Sequence, residues 1–243
     1  MFWSVARALF WIDPLILLAT AVIGSISFLA SLVDGTGWRQ HRIARQWARL
    51  VLAVAGVKVK VTGLENLTPG SAYVFCPNHL SLIDTPLVFG YLPWEFRSLA
   101  KRELFGIPFL GWHLRRAGHL PVAPEDVRSS VRNIAAAAGR VAAGVSILIF
   151  PEGARAPGDK LEEFKAGAAY IAIKAGAAIV PLGILGTREI LSVGSIIIRP
   201  GPVELRVGKP IPTTGLRSRD AEQLLVELRD RIGGLIYSPV GTT

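Results

Sequence analysis

Two short stretches of this chain carry side chains suited to chemistry. Asn78-His79 is followed five positions on by Asp84, and Phe150-Pro151-Glu152-Gly153 is followed closely by Arg155. The first offers an imidazole with a carboxylate to steer it. Five residues along a regular helix rotate a side chain by about 140°, so His79 and Asp84 cannot meet on one helix. They meet if His79 sits in a strand-to-helix turn and Asp84 on the first turn of the helix that follows. Pro77 marks a strand end and Ser81 can serve as N-cap. A carboxylate on one imidazole nitrogen fixes the tautomer, and the other nitrogen can then take a proton from a hydroxyl. A base so placed accelerates a reaction by roughly 10²–10⁴. Taken alone, the pattern also describes a structural histidine tied to a helix cap.

The second stretch offers an anion site. A buried strand, Val145 to Phe150, delivers the turn to the C-terminal edge of a sheet, where α/β folds bind ligands. Arg155 can grip a phosphate with two parallel hydrogen bonds, and Lys101, at the end of another strand, can add a second cation. Glu152 can accept a hydrogen bond from a polyol, and the turn at Gly153 has free backbone donors. The alternative is an ordinary surface loop. A protein nucleophile is not evident. There is no Gly-x-Ser-x-Gly elbow, Ser146 lies inside a buried strand, and Cys76 is expected to face the core. A substrate hydroxyl attacking directly is the simpler chemistry. No Cys/His cluster has metal-ligand spacing, so no metal is expected.

Several elements must position these residues. Val57 to Leu64 alternates as a half-buried strand, and Ala72 to Cys76 is a short buried one. Further strands are expected at Glu95 to Ala100, Gly118 to Val122, Val145 to Phe150, Ala178 to Leu185, Ile196 to Arg199 and Val203 to Val207. Helices are expected at Ser81 to Tyr91, Leu104 to Arg115, Pro124 to Ala143, Gly167 to Lys174 and Ser218 to Leu235. Such alternation predicts an α/β fold with a mostly parallel sheet flanked by helices.

The composition points to lipid. Of 243 residues, 51% are hydrophobic and 19% charged, and Lys+Arg exceed Asp+Glu by 27 − 18 = 9. A basic surface attracts polyanions, but the apolar bias favours lipid headgroups over nucleic acid. Neither a Lys/Arg-clustered helix nor interleaved aromatics along a groove is present, so no nucleic acid is expected as a partner. The lone Cys76 excludes an intramolecular disulfide and fits a reducing compartment. Pro14 to Val33 is an uncharged run of 20 residues, about 30 Å as a helix. It is long for a signal peptide, and Asp13 precedes it. After a turn at Asp34-Gly35-Thr36-Gly37, Trp38 to Val54 reads as a basic amphipathic helix. It suits a headgroup layer, or equally a place on the soluble domain with a solvated arginine face. The positive-inside rule keeps the remainder cytoplasmic, whether the apolar run spans the bilayer or dips into one leaflet. The expected organisation is a two-helix N-terminal membrane anchor over residues 1–56 and an α/β domain over 57–243.

Read in order, the motifs resemble those of a known family. His79 and Asp84 fit an NHxxxxD block, and Lys101, Glu103, Leu104, Pro108, Gly111 and Gly118 fit a second. Phe150-Pro151-Glu152-Gly153 with Arg155 fits a third. Phe164-Lys165-Ala166-Gly167 and Val180-Pro181-Leu182 complete the series. From Val57 to Pro212 the chain resembles the glycerolipid acyltransferases, typified by the bacterial 1-acylglycerol-3-phosphate acyltransferases. The resemblance implies transfer of a fatty acyl group from acyl-CoA or acyl carrier protein, as co-substrate and with no other cofactor, to a lysophospholipid hydroxyl. It implies His79 as base, Asp84 as its orienter, and Asn78, Lys101, Glu152, Gly153 and Arg155 as acceptor-binding residues. It places the activity at the cytoplasmic side of an inner membrane. Two departures concern the acceptor. No arginine follows Gly118 before Arg128, and Ala154 stands where threonine is usual. Lysophosphatidic acid is the default acceptor. A lyso-aminolipid acceptor, a non-catalytic lipid-binding relative and a thioesterase are the competing readings.

Overall fold

The computed structural model describes residues 8–123, 127–158 and 160–237. Among the described residues, seven strands form one sheet: β1 (Val57–Thr62), β2 (Val74–Pro77), β3 (Phe96–Lys101), β4 (Leu120–Val122), β5 (Ser146–Leu148), β6 (Ile179–Leu185) and β7 (Gly201–Val207). Their order is β1-β7-β6-β2-β5-β3-β4, and every pairing is parallel except β6 with β7. The expected mostly parallel α/β sheet is therefore present. β2, β5 and β6 are central, and their residues are almost wholly buried. That explains their unbroken apolar runs, since helices cover both faces of a parallel sheet.

Strand pleating divides the core. Phe75 joins one apolar cluster, while its neighbours Val74 and Cys76 join the other. On the Phe75 face lie α1 (Asp13–Ala30), α2 (Trp38–Ala55) and α3 (Asp84–Tyr91), and α4 (Leu110–Arg116) packs against α1. On the other face lie α5 (Val127–Ala142), α6 (Gly167–Ala175) and α7 (Ala221–Tyr237). Part of the helix expected from Pro124 falls outside the described residues.

Two sequence expectations need adjustment, and of the two places open to the basic helix one is taken. The helix expected from Leu104 to Arg115 is broken: Arg102–Gly106 is a 3₁₀ turn and α4 starts only at Leu110. Pro108 holds Ile107 in an extended conformation (ψ 127°), and Phe109 adopts a positive φ of 62°. Gly111 then lies so close to Phe105 that a Cβ there would sit 2.2 Å from its carbonyl oxygen. Ile196 to Arg199 is not a strand. The Ile197 amide bonds Ser195 Oγ and the Arg199 amide bonds the Ile190 carbonyl, so the donors are spent locally. Finally, α2 is packed on the domain along much of its length. Ala44, Ala48, Leu52 and Ala55 enter the same core cluster as β2 and β3. Arg45 and Arg49 donate to the Leu92 and Gly90 carbonyls at the C-terminal end of α3 (2.5 and 2.9 Å). A cation there also meets the negative end of that helix. Arg39 and Arg42, in the first two turns, stand in the open, and Arg49 is exposed as well although its guanidinium is tied to the domain.

By length and composition α1 could cross a membrane. Its two sides differ. Leu17, Leu18, Val22, Ile26 and Leu29 are exposed. The inner side is small and polar. Trp47 Nε1 donates to Thr20 Oγ1 (3.0 Å), Gly24 abuts Phe109, and Ser27 Oγ lies 2.7 Å from His113 Nδ1.

Candidate active site

The catalytic-looking residues lie at the C-terminal ends of β2, β3 and β5. β2 stops at Pro77, and the next side chain, Asn78, is fully buried. Asn78 Nδ2 donates to the Ile184 carbonyl (3.0 Å), and its Oδ1 accepts the Ile184 amide (2.7 Å). This double bond to β6 fixes where the chain leaves the sheet. His79 follows in the turn. Asp84, the first residue of α3, reaches back so that its Oδ2 accepts from the Leu80 amide (2.6 Å), the Ser81 amide (2.8 Å) and His79 Nδ1 (2.8 Å). The turn geometry required by the five-residue spacing is realised. Ser81 adds a brace: its hydroxyl accepts from the Ile83 amide and donates to the Leu191 carbonyl.

The tautomer of His79 follows from these partners. Asp84 Oδ2 is the acceptor here, so in the neutral ring the shared hydrogen sits on Nδ1 and Nε2 keeps a lone pair. The ring stacks on Phe150 (centroids 4.0 Å apart, planes at 27°) and its side chain is 17% exposed. A fixed imidazole with one open basic nitrogen results.

Two residues expected to touch substrate are committed to the protein instead. Asn78 spends its amide on β6. Glu152 is 5% exposed, with Oε1 accepting the His79 amide (2.7 Å) and Oε2 the Glu162 amide (3.0 Å). Burial raises its pKa, and the two amide bonds oppose that rise. Neither residue is among those lining the cavity beside His79. Glu152 ties the His79 turn to the loop after β5, and the Ala156 amide, bonded to the His79 carbonyl (2.8 Å), ties it again.

Beside His79 opens a cavity of about 910 Å³. Lys101 and Arg155 line it, as does Lys165, a cation not singled out from sequence although its Phe164-Lys165-Ala166-Gly167 segment was. Gly153 explains how Lys165 gets there. Its φ is +73°, and a Cβ at that position would lie 2.9 Å from Lys165 Cε and Nζ. Gly153 thus shapes the cationic end by having no side chain. Away from the cations the wall is apolar. Leu104, Phe109 and Leu110 contribute to it, and so do Ile23 of α1 and Ile43 and Trp47 of α2. Cys76 is fully buried, and burial drives its thiol pKa far up, so it offers no thiolate.

A steered imidazole, three cations and an apolar cavity wall thus meet at the strand ends of an α/β sheet. The chain belongs to the acyltransferase family, whose sequence model, described as Acyltransferase, matches residues 58–185. It is 33% identical over 194 residues to the chloroplastic 1-acyl-sn-glycerol-3-phosphate acyltransferase LPAT1 of Arabidopsis thaliana, covering 79% of this chain and 52% of that one. A 1-acyl-sn-glycerol-3-phosphate acyltransferase of Chlamydomonas reinhardtii is also 33% identical, over 79% of this chain and 57% of its own. The Borreliella burgdorferi 1-acyl-sn-glycerol-3-phosphate acyltransferase is 33% identical over 77% of this chain and 75% of its own. The chain therefore spans little more than half the length of the algal and plant relatives. The crystal structure of the 1-acyl-sn-glycerophosphate acyltransferase PlsC of Thermotoga maritima is similar over 99% of both chains, with a TM-score of 0.82 at 22% identity. That likeness shows a shared fold.

Proposed function

We propose that the chain transfers a fatty acyl group from acyl-CoA or acyl carrier protein to the free hydroxyl of 1-acylglycerol 3-phosphate, giving phosphatidic acid. One observation carries this reading most: His79 Nδ1 is held by Asp84 Oδ2 at 2.8 Å while the ring borders a cavity with cations at one end and apolar wall beyond. The acceptor's phosphate is held by Lys101, Arg155 and Lys165, and its hydroxyl approaches Nε2 of His79. As the oxygen attacks the thioester carbonyl, its proton passes to Nε2 and a C–O bond forms. The imidazolium is stabilised by the Asp84 carboxylate. Collapse of the tetrahedral intermediate breaks the C–S bond, and the proton leaves with the thiolate as free thiol. His79 returns to its neutral form. The exposed face of α1 lies in the inner membrane, with the site on the cytoplasmic side, so that both lipids need not enter water.

A lyso-aminolipid acceptor is the second reading, favoured by Ala154 and by the lack of a Lys or Arg between Gly118 and Arg128. The test is an acceptor screen with purified protein, labelled acyl-CoA and acyl carrier protein, run beside His79→Ala. Acylation of lysophosphatidic acid that is lost in the variant supports the proposal. Equal turnover by the folded variant removes His79 as the base. Turnover of only an amine-bearing lysolipid selects the second reading.

A further inference from the structure

Three of the four histidines lie away from the Asp84 pair. His41, His113 and His119 gather on the far side of the cavity near Phe89 and Phe96. They are not equivalent. His41 Nε2 donates to the Trp94 carbonyl (2.9 Å), and His119 Nδ1 accepts the Ser98 amide (2.8 Å). In each of these the second ring nitrogen is sealed in protein without a partner among the described residues. In His113, Nδ1 pairs with Ser27 Oγ of α1 at 2.7 Å, and the residue lines the cavity. Its Nε2 is neither sealed nor bonded to any described residue, so it opens on that cavity.

The tautomer of His113 can be derived. Burial, then the nearby Arg97, lowers its pKa to about 4, so the ring is neutral at pH 7 and one nitrogen carries hydrogen. Ser27 is fully buried, and its hydroxyl bonds only His113 Nδ1 among the described residues. Other hydroxyls of this segment, on Thr20, Ser25 and Ser31, return to the carbonyls of Ile16, Ala21 and Phe28. Ser27 does not, so its proton must point at Nδ1 or be buried unpaired. Nδ1 is therefore the acceptor, and the ring hydrogen sits on Nε2. A single N–H donor projects from the cavity wall with no protein group to receive it.

The depth of that donor indicates what meets it. The His113 ring lies 5.8 Å from that of His119, which is held at Ser98. Lys101 is three residues further along β3, so Ser98, on which the His119 and His113 pair rests, lies on the order of 10 Å from the cationic end. A headgroup bound by Lys101 and Arg155 places a lipid tail at that level.

We propose that His113 is a specificity-determining residue whose Nε2–H hydrogen-bonds an oxygen carried on a substrate tail. That oxygen is either the ester carbonyl of the acceptor's own acyl chain or an oxygen substituent on the donor chain. Ser27 is its positioning residue. The inference rests on the acyl-transfer reading. A site built around a hydrogen bond discriminates against the analogue that lacks the partner, because the buried donor is then left unmade.

The experiment uses the full chain in lipid nanodiscs and two competition ratios. One compares 1-acyl with 1-O-alkyl glycerol 3-phosphate of equal length. The other compares plain acyl-CoA with a chain bearing a mid-chain hydroxyl. In the wild type, one ratio is expected to favour the oxygenated substrate by about tenfold, the factor for one neutral hydrogen bond. It should collapse toward one in His113→Phe, return in His113→Gln, and fall in Ser27→Ala. The ratio that responds identifies which substrate carries the oxygen. Imidazole ¹⁵N spectra should show His113 protonated at Nε2. Ratios unmoved by the substitutions, or a ring protonated at Nδ1, would overturn the proposal even if His113→Phe fails to fold. Turnover with flat ratios sinks this inference alone. No turnover of any lysolipid sinks the acyl-transfer reading, and this one with it.

Discussion

Asp84 is the residue on which the proposed base depends, and its two oxygens are used unequally. Oδ2 accepts three donors, while Oδ1 is buried with no partner among the described residues. In Asp84→Asn the amide group would have to occupy the Oδ1 position, because at Oδ2 it would face three donors. The new N–H₂ would then be buried unpaired, costing about 1–3 kcal/mol of stability. The imidazolium formed during proton transfer would also lose its compensating charge. Turnover is expected to fall by about 10³–10⁴ with the fold retained. Steady-state kcat read beside a thermal melt checks both, and near-wild-type kcat would remove Asp84 from the mechanism. Arg155→Ala is expected to raise the apparent KM for a phosphate-bearing acceptor by about 10–100-fold, the loss of one charge-assisted contact. A change confined to the thioester's KM would reassign this cation to the donor.

At the scale of elements, the arginines of α2 divide into two functions that their even spacing conceals. Arg45 and Arg49 close the C-terminal end of α3 with guanidinium hydrogen bonds, whereas the exposed Arg39 and Arg42 side chains bond no carbonyl among the described residues, Arg42 lying 4.7 Å from the centre of the Trp38 ring. Arg49→Ala is expected to cost about 1–2 kcal/mol, or several degrees in melting temperature, with little effect on vesicle binding. Arg39→Ala with Arg42→Ala should weaken binding to anionic vesicles by about 1 kcal/mol per charge and leave the melt nearly unchanged. Co-sedimentation and calorimetry on the same preparations separate the two, and the reverse pattern would defeat the assignment. The elements also show what a sequence can disclose. β1, β5 and β6 were legible because alternation or an unbroken apolar run reports burial directly. His79 with Asp84 was legible because both ends of the contact lie within five residues. The bracing bonds of Glu152 and Asn78 were not legible because their partners are 73 and 106 positions away, and a buried brace resembles a free ligand in a linear string. The break before α4 was signalled by Pro108, but the positive φ of Phe109 left no mark. Nothing local announces that Ser27 would meet His113, 86 residues on.

For the molecule as a whole, the buried histidines set an acid limit. Burial, more than the charge of Arg97, lowers the pKa of His41 and of His113 from 6.5 to about 4, and His119 is lowered as well. Between those values the unfolded chain binds protons that the folded protein does not. Stability from these rings is therefore fully present above pH 6.5 and is lost as the pH falls toward 4. Each of His41 and His113 withdraws on the order of 3 kcal/mol across that range. A melting temperature that drops steeply from pH 7 to pH 5 is expected, with a shallower drop in His41→Gln. A flat profile would mean that the rings are not buried in neutral form. The same burial on both faces of the sheet explains why α1 and α2 cannot be regarded as a detachable leader. They wall the cavity, so deleting residues 1–37 should expose the apolar side of α4 and abolish turnover in detergent as well as in membranes.

The sealed position of Cys76 has a practical consequence. Because this is the chain's one sulfhydryl and it lies fully within the sheet's core, a maleimide probe has nothing native to attack. A thiol placed on the outward side of α1, at Leu18, Ile26 or Leu29 in turn, would be the sole label on an otherwise unaltered polypeptide. Quenching by bromine atoms fixed at graded positions along phospholipid chains would then read, rung by rung, how far the segment is immersed and at what tilt.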